Sequence, residues 1–158
     1  MRKIGALLLC IVLLSTVFVS AQDTTTCNIE NESTVTQDAL DAYNLSDWET
    51  ALVAYDCLVQ LNPDDARIIN TRGFLHYQLE TPDLAVADFE QAIDINPSLA
   101  LPYANLGFVY LNFDEDIPAA LEAFTNAVER DLDLVNGYFG RAQAYGQAEL
   151  YAQARADL

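Results

Sequence analysis

The side chains that carry chemistry are few in this chain and keep no useful company. There is one histidine, His76. It stands beside Tyr77 in a stretch of helical periodicity, where packing or lining a groove is the expected role rather than proton transfer. No serine or cysteine has an evident histidine partner for nucleophilic catalysis. One histidine and three cysteines give no metal-ligand spacing, and no glycine-rich phosphate loop is present. Carboxylates are abundant, but among 24 acidic residues their proximity is expected and says little about acid-base work. The run Asp114-Glu115-Asp116 lacks the spaced oxygen ligands and turn glycine of a calcium loop. Followed by Pro118, it reads as a helix start whose acids are favoured by the positive end of the helix dipole. The residues therefore point to no enzyme, no metal and no cofactor.

The first residues have the form of an export signal. Arg2 and Lys3 make a basic head, residues 4–19 an apolar run, and Val19-Ser20-Ala21 a small-residue cleavage site. Residues 1–21 are thus expected to be a signal peptide, and the mature chain to begin at Gln22 in the periplasm, cell envelope or exterior. A retained membrane anchor is the competing reading. Leu9 precedes Cys10 where a lipoprotein signal needs a small residue, so lipid attachment there is not expected. Without Arg2 and Lys3, the 24 acids face five arginines, a balance near −19 with no lysine. Such a chain offers no basic footprint for nucleic acid or for an anionic membrane surface. A solvated acidic exterior accounts for the charge.

What must position any functional residue is a repeated pair of helices. Residues 66–99 read as a first helix to about Leu79, a break at Thr81-Pro82, and a second helix carrying Ala85, Phe89, Ala92 and Ile93 that ends at Asn96-Pro97. The flanking segments repeat this pattern at an interval of 34: Pro63 and Pro97, Gly73 and Gly107, Ala51 and Ala85, Tyr55 and Phe89. Residues 22–31 are a polar arm and 32–65 the first unit, in which Ser46 followed by Glu49 suggests a capping box for the second helix. Residues 100–134 form the third unit, with one extra residue in the turn around Phe113 to Asp116 and Leu132 in place of the closing proline. Residues 135–158 begin a fourth unit and stop partway through its second helix. Such an end is expected to continue into further units or to be covered by another subunit, which leaves open a self-assembling structural protein or a longer chain carrying an enzyme or membrane domain beyond Leu158.

On these intervals the chain resembles the tetratricopeptide repeat family, built of helix-turn-helix units of about 34 residues. The resemblance implies an all-α solenoid with three full units and a partial fourth, whose first helices line a concave wall. Placing the sequence on that pattern gives a wall of Tyr43 and Asn44 from unit one, and Asn70, Phe74, Tyr77 and Gln78 from unit two. Phe108, Leu111 and Asn112 follow from unit three and Phe139 from unit four. For Phe74 and Phe108, packing between neighbouring first helices is an equal alternative. An aromatic and amide wall with almost no charge suits an extended or helical peptide with apolar anchors. The lysines and arginines with which some family members hold a free carboxylate end are missing, Arg67 alone being in reach. The expected function is a non-catalytic scaffold binding a protein or peptide of unspecified identity. The antiparallel pairing also brings the arm near the end of the second helix, which makes Cys27 and Cys57 candidates for a disulfide, two reduced thiols being the alternative.

Overall fold

The structure is a computed structural model and describes Cys27 and residues 31–158. The expected signal peptide, and the arm apart from Cys27 and Asn31, lie outside the described residues. The described chain is all-helical. In order it forms α1 (Glu32–Asn44), α2 (Trp48–Leu61), α3 (Ala66–Gln78), α4 (Pro82–Ile95), α5 (Ala100–Asn112), α6 (Ile117–Arg130), α7 (Val135–Gln147) and α8 (Tyr151–Ala154). Odd and even helices pair, and each even helix packs on the next odd one, giving a solenoid. Among the described residues no helix is long and apolar enough to cross a membrane.

Units one, two and three are closed around the same two positions. Ala51, Ala85 and Ala120 are fully buried at the start of the even helices, and Tyr55, Phe89 and Phe124 fill the space one turn later. In units two and three the odd helix meets that ring with a glycine, where unit one has the buried Ala39. A Cβ on Gly73 would stand 2.7 Å from the Phe89 ring, and one on Gly107 would stand 2.7 Å from the Phe124 ring. Both rings are wholly enclosed, so only hydrogen at these positions lets the helices approach.

The turn inside each unit has a feature that the sequence hid. Ser46, Glu80, Glu115 and Glu149 all have positive φ, between 51° and 60°. In units one, two and four they close a Schellman motif: Asp47, Thr81 and Leu150 donate back to the carbonyls of Ala42, His76 and Tyr145. In unit three the equivalent bond, from Asp116 to Tyr110, spans one residue more, which is the insertion expected there. The capping box assigned to Ser46 and Glu49 is corrected accordingly. Ser46 is committed to the left-handed turn, and the Asp47 carboxylate caps α2 by accepting from the Thr50 amide at 3.2 Å. Asp65 and Asp116 cap α3 and α6 in the same way. Between units, Leu132 leaves the turn intact, with Leu134 donating to Asp131 as Leu99 does to Asn96.

Candidate functional site

Successive odd helices touch, α3 on α5 and α5 on α7, whereas no two even helices pack comparably among the described residues. Closer spacing along the odd helices puts them on the inner side of the curve. Their sequences suit a neutral wall, because α3, α5 and α7 contain no acidic residue. The carboxylate side chains from residue 66 onward lie on even helices, on turns and, for Asp157, after α8.

The structure draws several of the expected wall residues into one aromatic run. Tyr43 meets Phe74 with ring centres 5.8 Å apart, and Trp48 stands edge-on to both. Phe74 stacks on Tyr77 at 6.4 Å, and Tyr77 meets Phe113 edge-on at 5.4 Å. Burial raises the Tyr43 phenol above its ordinary pKa, which keeps it neutral and able to donate. Phe74, Tyr77 and Phe108 surround a dimple of about 30 Å³, floored by Phe89 and edged by Asn105. Phe108 also packs edge-on against Phe124 in the core, at 4.9 Å. It thus serves both the wall and the packing of unit three.

Amides tie the odd helices together along the same face. Asn112 Nδ2 donates to the Tyr77 hydroxyl at 2.7 Å, and Asn105 Nδ2 donates to Asn70 Oδ1 at 2.9 Å. Asn44 is exposed at the end of α1, Gln78 is half-buried at the end of α3, and Phe139 stands exposed on α7, apart from the aromatic run. Two wall positions are corrected. Leu111 and Asn70 are 3% and 4% exposed, so neither presents a surface. Leu111 belongs to the core cluster of Ala104, Ala120 and Phe124, and Asn70 spends its carbonyl on the next helix. The cause in both cases is the close packing of odd helices on each other, which covers side chains that a single helix would expose. Trp48, Phe113 and Asn105 belong to the site and escaped the sequence reading. None of the three carried a usable repeat signal: Asn105 follows Asn70 by 35 residues and so lies one residue off the 34-residue register of α3 and α5.

Cys27 and Cys57 are joined as a disulfide, with their Cα atoms 5.3 Å apart. Among the described residues no three His, Cys, Asp or Glu side chains converge on a common point.

The family model for the tetratricopeptide repeat matches residues 42–132, more than half of the chain. The chain belongs to the tetratricopeptide repeat family. Human tetratricopeptide repeat protein 13 is 30% identical over 89 residues, covering 55% of this chain and 10% of that protein. The chain therefore spans only a small part of that relative. Among solved structures, MamA from Desulfovibrio magneticus RS-1 superposes with a TM-score of 0.69 at 21% identity, covering 80% of this chain and 71% of its own. The first repeat domain of Spaghetti (RPAP3), bound to the HSP90 peptide SRMEEVD, superposes at 0.68 with 13% identity, covering 78% and 96%. At these identities the superpositions show the shared fold.

Proposed function

We propose that this chain is a non-catalytic scaffold that holds a peptide or protein segment against its inner wall. The observation that carries the reading is the aromatic dimple at Phe74, Tyr77 and Phe108, set in helices without carboxylates and edged by amides. The dimple is the size of a methyl group, so the tip of an apolar side chain of a ligand fits it, while asparagine and glutamine side chains bond the ligand's backbone. The HSP90 peptide of the Spaghetti complex carries three acidic residues. The inner wall here has few arginines to receive such charges, so the segment we propose is neutral and apolar at its anchors. We further propose that the chain is exported. The basic head and apolar run at its start support this, as does a disulfide, which persists in oxidising compartments.

Selection of a random peptide library on the purified chain tests the wall. Enriched peptides should share an apolar anchor, and their affinity should fall at least tenfold on Tyr77→Ala and Phe108→Ala while circular dichroism stays helical. Peptides that bind both variants as well as the parent chain would sink the proposal.

A further inference from the structure

A second surface, distinct from the inner wall, lies on the face of unit one turned away from unit two. A cleft of about 520 Å³ runs between α1 and α2, lined by Val35, Leu45, Val53 and Cys57 with Asp38 and Asp41 on its rim. Leu45, in the turn after α1, is 80% exposed and Val53 on α2 is 58% exposed, so the cleft leaves large apolar side chains open.

The interior of the chain shows what such a surface receives. Val35, Asp38 and Asp41 precede Ile69, Arg72 and Leu75 by one unit of 34. In unit two those positions are covered by the preceding even helix. Leu75 packs with Tyr55 and Leu58 of α2, Ile69 with Val59, and Arg72 Nη1 reaches Asp56 Oδ1 of α2 at 3.3 Å. The surface on α1 is therefore shaped for a helix like α2, but its polarity is reversed. Where α3 offers a guanidinium to an acid, α1 offers Asp38, and where Leu75 is wholly buried, α1 carries Asp41. Among the described residues no cation pairs with either aspartate. The chain's own even helices bring Asp56, Glu90 and Thr125 to the facing position, so a second copy supplies no base. We propose that this cleft is docked by an amphipathic helix of another polypeptide, with an arginine or lysine opposite Asp38 and an apolar face on Val35 and Val53.

The test uses the purified chain and a stapled, fluorescein-labelled peptide of the α2 sequence, Trp48–Leu61, carrying Asp56→Arg and Cys57→Ser. A control peptide keeps the aspartate. In fluorescence anisotropy the arginine peptide should bind at least tenfold more tightly than the control. An Asp38→Arg chain, altered at an exposed position, should reverse that preference, and Val53→Glu should weaken both peptides. Tyr77→Ala should change neither, which separates this surface from the inner wall. Failure of the arginine peptide to bind, or equal binding of both peptides to parent and Asp38→Arg chains, would overturn the proposal. So would a dimer in sedimentation that Val53→Glu dissolves.

Discussion

Arg72 is held by two carboxylates from different helices. Its Nε and Nη2 reach both oxygens of Asp88 on α4, at 2.8 and 2.5 Å, and its Nη1 reaches Asp56 on α2. These bonds, Asp88 first, raise the guanidinium pKa above its ordinary value. Arg141 and Asp157 repeat the bidentate pair in unit four, at 2.8 and 2.6 Å. In unit three the same positions hold Leu106 and Ala123, both buried in one apolar cluster. Desolvation decides what these alternatives are worth. A lone Asp88, 5% exposed, has no water to replace its partner. Arg72→Leu should therefore cost about 3 kcal/mol in urea unfolding, and adding Asp88→Ala should recover most of it, because the apolar pair already works in unit three. A double variant no more stable than the single one would contradict this account. None of these pairs was legible from the sequence, where five arginines looked scattered. A pairing 16 residues apart becomes visible only once the helices are placed.

At the scale of the element, the sequence displayed the helices well and their joints poorly. Apolar spacing, the prolines and the 34-residue interval were enough to find each helix and its partner. The turn residues gave no such sign, because Glu80, Glu115 and Glu149 occupy left-handed positions where glycine would have announced itself. The site was half legible for a related reason. Aromatics on the odd helices could be assigned to the inner side, but how far the next helix covers Leu111 or Asn70 depends on packing distance. The turns also yield a prediction. A left-handed residue with a Cβ costs about 1–2 kcal/mol, and glycine costs about 0.5–1 kcal/mol in chain entropy. Glu80→Gly should thus stabilise the chain by about 0.5 kcal/mol, read as a small rise in Tm, whereas Glu80→Val should lower it.

At the scale of the whole molecule, stability is the sum of units and junctions, and the weakest end governs how the array opens. The disulfide acts at one such end. It closes a loop with a sequence separation of 30, for which chain entropy gives about 3–4 kcal/mol. Reduction, or Cys57→Ser, should lower unfolding free energy by up to that amount, checked by urea titration with and without reductant. Intact mass of chain recovered outside the producing cell tests the export proposal in the same preparation, with Gln22 as the expected first residue. The alternation of Arg72, Leu106 and Arg141 has a further consequence during folding. A chain of near-identical units can slip, docking one unit where its neighbour belongs. A slip by one would set Leu106 against Asp56, which meets Arg72 in the native junction, and would strand the arginine elsewhere. Alternating charge and grease thus penalises a slip by one unit.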